Sequence, residues 1–157
     1  MTQPASATTG IQPHCSIART MQVLGEKWSV LIVRSAFQGD SRYSEFRERL
    51  GVPTDVLSAR LATLVDAGIF ERRAYREPGE RERHSYHLTQ AGRELKTVLA
   101  ALSEWGAEHT ASEAGPSVLF VDEKAEPARV AFVSASGDLL GCDEVAMVPG
   151  PGATTRW

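Results

Sequence analysis

The chain has 157 residues, of which 42% are hydrophobic, and a formal net charge of −3; that is the size of one domain with an appendage, or of two very small domains. No apolar run approaches the roughly 20 residues needed to cross a bilayer, and the start "MTQPASATTGIQPHC" has neither a basic nor an apolar leader region, so the expectation is a cytoplasmic protein with no membrane partner. The charge is uneven: from His14 to Thr110 there are 14 Lys+Arg against 13 Asp+Glu, and from Ala111 onward 3 against 7, so a basic surface has to be found by position rather than from the total.

Residues 1–13, rich in Thr, Ser, Pro and Ala, read as a disordered arm. From Cys15 an apolar pattern of Ile17, Met21, Val23 and Leu24 predicts a first helix that stops at Gly25. "EKWSVLIVRSAFQG" has apolar residues on two faces, Trp28, Leu31 and Ile32 on one and Val30, Val33 and Phe37 on the other, which predicts a second helix buried nearly all round. "SRYSEFRERLG" has room for a helix of about two turns with Ser44 as N-cap and Phe46 and Leu50 inward. The turn "GVPT" leads into "TDVLSARLATLVDAG", an amphipathic helix with Leu57, Leu61, Leu64 and Val65 inward, Thr54 as cap and Gly68 as stop.

After Gly68 the period changes. "IFERRAYR" and "RHSYHL" alternate loosely around "EPGERE", whose Pro-Gly pair marks the turn of a hairpin. "TQAGRELKTVLAALSEWGAEHT" restores the helical period from the N-cap Thr89, with Leu95, Val98, Leu99, Leu102 and Trp105 on a broad stripe. Such a stripe needs cover, from a second copy or from the chain's own first helix. "SVLFVD", "ARVAFVS" and "EVAMV" suggest a small β-type appendage over residues 111–157.

The expected fold is therefore mainly α with a β-hairpin: a winged helix-turn-helix over residues 14–110, followed by the appendage. In that layout the second helix of the turn motif enters a DNA major groove and the hairpin reaches the neighbouring backbone. The same layout also serves as a protein interaction module.

The stretches "CSIARTMQVLGEKWSVLIVRSAFQGDSRYSEFRERL", "VLSARLATLVDAGIFER" and "HSYHLTQAGREL" resemble the HxlR-type transcriptional regulators, relatives of the MarR proteins. The matching positions are Cys15; Gly25, Lys27 and Trp28; Arg42, Ser44 and Phe46; Leu57, Arg60 and Leu61; Gly68; and Tyr86, Leu88, Thr89 and Gly92. The resemblance implies a homodimer built on the first and last helices of residues 14–110, with two recognition helices facing successive major grooves of an inverted-repeat operator on double-stranded DNA.

On the helix beginning at Thr54, the side away from Leu61 holds Asp55, Val56, Ala59, Thr63 and Asp66, with Arg60 on the flank; Thr54 and Ser58 lie in its first turns. Arg60 suits a guanine or a phosphate, its alternative being an ion pair with Asp55 or Asp66. Val56 and Ala59 suit a thymine methyl or are a lightly exposed aliphatic pair. Asp55 is read as stabilising the helix N-terminus, with acceptance from cytosine N4 as the alternative. Lys27, Arg42 and Ser44 would position the backbone. Arg72, Arg73, Arg76, Arg81 and Arg83 form a cationic strip in the hairpin that Glu77, Glu80 and Glu82 dilute, so a solvated, self-paired wing is the alternative. Trp28 and Trp105 are read as core.

Cys15 stands at a helix start, where free amides favour a thiolate, and several HxlR-type regulators resemble this arrangement and sense oxidants through the matching cysteine. The alternative is a small buried hydrophobe. A disulfide between two copies of Cys15, or between Cys15 and Cys142, would be the switch, and a small-molecule effector in a pocket made by the appendage a second route. The four histidines are not at ligand spacing, Cys142 lacks the paired cysteine that some larger family members carry, and no phosphate-loop or nucleophile-elbow motif is present. Neither cofactor, metal nor enzymatic activity is expected; an enzyme using Cys15 with His14 as base has no supporting constellation.

Overall fold

The computed structural model describes residues 14–110 and 112–153; the predicted arm, residues 1–13, lies outside them. In chain order the elements are α1 (Ser16–Leu24), α2 (Lys27–Phe37), α3 (Tyr43–Leu50), α4 (Thr54–Asp66), β1 (Phe70–Tyr75), β2 (Arg83–Leu88), α5 (Gln90–His109), β3 (Phe132–Val133) and β4 (Leu139–Leu140).

One apolar core organises residues 24–100. Ile32 and Val33 of α2, Phe46 of α3, Leu57, Leu61 and Leu64 of α4 and Phe70 of β1 are all fully buried. Phe46 and Phe70 meet edge to face with ring centroids 6.2 Å apart, a favoured aromatic geometry. As expected, α2 is covered on most sides, and it packs on α1, α3, α4 and α5.

Local chemistry sets the ends of α4. Gly68 takes φ +71°, and its N–H bonds to Val65 O while Ile69 N–H reaches back to Leu64 O, each at 2.9 Å. This double return is a Schellman stop, which needs a residue at ease in the left-handed region. The chain then enters β1, antiparallel to β2 with Phe70 opposite Leu88 and Tyr75 opposite Arg83. Thr89 caps α5 as predicted, its hydroxyl accepting from Gly92 N–H at 3.1 Å.

Two predicted caps are corrected. The third helix starts at Tyr43, so Ser44 lies inside its first turn; the Glu45 carboxylate accepts from Ser41 N–H at 2.7 Å and Arg42 N–H at 2.9 Å. These two bonds hold the Glu45 carboxyl below its usual range, the Ser41 amide contributing most. In α4, Pro53 occupies the cap position and Thr54 is the first helical residue, without a side-chain capping bond.

The appendage is less regular than predicted. Of the three β-branched runs only "ARVAFVS" contributes a strand, β3, which pairs with β4 around a turn at Ser134–Asp138. "SVLFVD" supplies only a single bridge from Val121 to Pro127, and "EVAMV" follows a one-turn 3-10 helix at Cys142–Glu144. Short strands with Leu119, Phe132, Val133, Leu139, Met147 and Val148 all exposed bury too little to build a second core.

Candidate nucleic-acid interface

α3 and α4 form the two arms of the helix-turn-helix. Buried Val52 anchors the turn between them, and Tyr43 ties their first turns together. Its phenol donates to Thr54 O at 2.8 Å and meets the Ser58 hydroxyl at 3.2 Å. In the sequence Tyr43 gives little sign of this role beyond being an aromatic residue at the start of a short, largely charged helix.

The outward face of α4 presents Asp55, Ser58, Ala59 and Ala62, all exposed, with a half-buried Arg60 on the flank. Neither Asp55 nor Asp66 pairs with Arg60, which makes no ion pair or hydrogen bond among the described residues. Ser58 donates to Thr54 O at 2.8 Å, within its own helix. Val56 is the exception to the wheel, half-buried and packed on the core. The expectation of an outward Val56 is corrected: α4 is held by α2, α3 and β1 together, and a helix wedged among three neighbours is covered over more than half its circumference.

The wing is locked to the helix-turn-helix through its backbone. Tyr86 N–H donates to Ser41 O at 2.7 Å, and Arg42 bridges Ser85, so the segment before α3 joins the hairpin edge. The Arg42 guanidinium then lies over the Tyr75 ring, 4.6 Å from its centroid, and bonds Glu77 at 2.7 Å. Arg83 pairs with Glu80 at 3.0 Å and Arg73 with Glu71 at 2.5 Å.

The self-paired wing therefore holds for Arg73 and Arg83, and Arg42, outside the hairpin, is paired to it through Glu77. It does not hold for Arg72, Arg76 and Arg81, which are exposed and without an ion-pair partner among the described residues. Exposed pairs of this kind contribute about 0–1 kcal/mol, so a phosphate competes for the paired arginines on near-equal terms.

Between α4 and the wing lies a cleft of about 220 Å³, lined by Tyr43, Ser58, Ala62, Asp66, Arg72 and Tyr86. Burial pushes the Tyr86 phenol up, while the Arg72 charge opposes the shift. Ser44 is exposed on α3, next to the amides that Glu45 already occupies. Lys27 opens α2 with its ammonium 4.9 Å from the Trp28 ring centroid.

Away from this face, Cys15 caps α1. Its half-buried sulfur accepts from Ala18 N–H at 3.5 Å, and Cys15 and Cys142 are both free thiols. Trp28 packs on the core as predicted, but Trp105 does not: it is 62% exposed and leans on His109. The reason is length, since α5 runs for 20 residues, about 30 Å, and its buried or core-packed side chains lie between Gly92 and Ala100. Leu24 is the part of α1 that reaches the crevice beneath Leu95 and Leu99, leaving Val98, Leu102 and Trp105 exposed alongside Ile17 and Met21 of α1. No helix among the described residues is long and apolar enough to cross a membrane, and no three His, Cys, Asp or Glu side chains among them are grouped to hold a metal ion.

A profile of the HxlR-like helix-turn-helix family matches residues 23–114. Rv3095 of Mycobacterium tuberculosis, named as an uncharacterized HTH-type transcriptional regulator, is 36% identical over 141 residues, covering 87% of each chain. Among solved structures, the candidate transcription factor PA1607 superposes with a TM-score of 0.77 at 30% identity, covering 91% of this chain and all of its own. That coverage extends past α5, so the likeness includes part of the appendage. The redox regulator HypR in its reduced form is 28% identical, with a TM-score of 0.53 over 61% of this chain and 94% of its own.

Proposed function

The chain belongs to the HxlR-like helix-turn-helix family of transcriptional regulators, and from that premise we propose that it acts as a homodimer on an inverted-repeat operator, without enzymatic activity. The observation that carries the reading is a small, uncharged strip on α4 (Ser58, Ala59 and Ala62) with unpaired Arg60 on its flank and unpaired Arg72 across the cleft from it, while unpaired Arg76 and Arg81 stand at the tip of the wing. Small residues let the helix approach base edges, while arginines at the margin reach guanine or phosphate. Lys27, Arg42, Ser44 and Arg83 add backbone contacts, Thr54 and Asp55 shape the helix start, and Val56 supports the face from behind. In this reading the protein works in the cytoplasm as a repressor.

The dimer reading rests on the apolar residues that the single chain leaves in water: Ile17 and Met21 on α1, Val98, Leu102 and Trp105 on α5. Taking a fully exposed side chain of this kind out of water is worth about 1.5–3 kcal/mol, and these five, 42–63% exposed, stand to gain roughly half of that each. Two α4 helices would then stand about one helical turn of DNA apart, roughly 34–36 Å.

A thiol switch at Cys15 is supported by its place at the start of α1, beside that apolar face, and by likeness to HypR, a redox regulator. Oxidation joining two Cys15 thiols, or Cys15 to Cys142, would pass the two thiol hydrogens and their electrons to the oxidant and re-space the two reading helices. The DNA flanking the chain's own coding region tests the whole reading. Purified protein is expected to protect an inverted repeat there, with affinity falling steeply between about 50 and 200 mM salt. Flat salt dependence, or no protected repeat, leaves the protein interaction module as the better account.

A further inference from the structure

The last turn of α2 carries Arg34, whose Nε is buried and has no hydrogen-bond partner among the described residues. A buried cationic N–H without an acceptor is costly, and Arg34 borders an open groove of about 520 Å³ between α2, α5 and residues 117–121. That volume falls within the range of small-molecule sites, about 300–1,000 Å³. Its walls are largely apolar, with Val30, Leu31 and Phe37 from α2, Leu99 from α5, and the half-buried Val118 and Phe120 from the appendage, broken by Gln38 and two serines. A second cation, Lys96, holds its ammonium 5.3 Å from the Phe37 ring centroid at the rim. The residues lining the groove include no carboxylate.

We infer that this groove binds a small amphipathic anion, an aromatic or branched-alkyl carboxylate. The carboxylate accepts from Arg34, Lys96 adds charge at the rim, and the hydrocarbon part lies against Phe37, Leu99 and Phe120. Two features select this class. A neutral hydrocarbon offers no acceptor to the guanidinium of Arg34 at the groove wall, and a bare phosphate wastes the apolar walls. Because α2 also packs on α4, a ligand bridging α2 and α5 sits behind the reading helix; a role as effector rests on the DNA-binding function proposed above, whereas binding itself does not.

The test is calorimetric titration of the full chain, without DNA, using benzoate, phenylacetate and the corresponding neutral amides. Saturable binding of at least one acid is expected, with its amide at least tenfold weaker. Arg34→Gln should weaken acid binding at least tenfold and remove the preference over the amide; Lys96→Gln, at an exposed site where folding is not at stake, should weaken it severalfold. The proposal is overturned if neither acid saturates, if acid and amide bind alike, or if Lys96→Gln and a folded Arg34→Gln both bind as wild type does. It is also overturned if binding weakens steadily as protein concentration rises, because the groove then belongs to a second copy. DNA affinity is measured separately with and without the acid, so a chain that binds acid but no DNA refutes the regulator reading and leaves the groove assignment standing.

Discussion

The side chain of Arg49 on α3 closes over the carboxylate of Asp40, with Nη2 donating to Oδ1 at 3.0 Å and Nε to Oδ2. Asp40 is only 8% exposed and also accepts from the fully buried Ser35 hydroxyl of α2. This triad fixes the α2–α3 turn and so the angle at which the helix-turn-helix meets the core. The Arg49 bond is the main reason that the Asp40 carboxyl is held below its usual range, with Ser35 adding to it and burial opposing.

A group with a depressed folded-state pKa stabilises the fold above its unfolded value, about 3.9 for Asp, and loses that contribution as pH falls through the folded value. Asp40→Asn is therefore expected to lower stability at neutral pH by about 1–3 kcal/mol. The gap to wild type should narrow below about pH 4. Urea unfolding between pH 7 and pH 3 checks this, and a gap constant across that range contradicts it.

Arg60→Ala is expected to weaken operator binding by about 1–3 kcal/mol and relax sequence preference. Arg76→Ala and Arg81→Ala should weaken specific and non-specific DNA alike, each lowering the slope of log affinity against log salt by about 1. Fluorescence anisotropy with operator and scrambled duplexes separates the two classes. Identical behaviour of all three variants would deny α4 its reading role.

Leu102→Glu and Trp105→Glu place a charge on the exposed stripe of α5. Because neither side chain supports the core, both variants should keep their melting behaviour at low concentration while sedimenting as monomers, with operator affinity reduced at least tenfold. A variant that remains dimeric moves the interface elsewhere.

Cys15→Ser should bind operator as wild type does but resist release by a thiol oxidant such as diamide. Release at the wild-type oxidant dose removes Cys15 from the switch.

Gly92 sits where the first turn of α5 packs on the base of the hairpin, and a Cβ there would lie 2.3 Å from the Ile69 carbonyl oxygen and 3.0 Å from the Leu88 side chain. Gly92→Ala should therefore destabilise by about 1–3 kcal/mol or more through overpacking. Gly106, whose nearest neighbour to a Cβ is the Thr110 hydroxyl at 3.7 Å, should accept alanine with a gain of about 0.5–1 kcal/mol. Thermal melts of the two variants should shift in opposite directions.

Caps, stops and periods act over a few residues, and those features could be read from the chain: Gly68 as stop, Thr89 as cap, the Pro-Gly hairpin, and the inward row Leu57, Leu61 and Leu64. The structure departs from these expectations at Val56 and Trp105 because a distant neighbour decides, and at Ser44 because an adjacent side chain competes for the cap. Val56 faces outward on a wheel with one buried side, but α4 has three neighbours. Ser44 looked like a cap until Glu45 reached back to the amides of Ser41 and Arg42. Trp105 fitted an apolar stripe, but the stripe outruns the core that one chain supplies.

By itself the sequence determined the order of the helices and the hairpin and the family resemblance, because local periodicity and capping chemistry are written in adjacent residues, and it supplied the arginines proposed to meet DNA. Only the tertiary structure decided which of those arginines are already paired. Arg42 meets Glu77 across 35 positions, and Arg34 keeps a buried Nε–H with no acceptor among the described residues. Charge pairing depends on distance in space, and folding, not spacing along the chain, brings those groups together or keeps them apart.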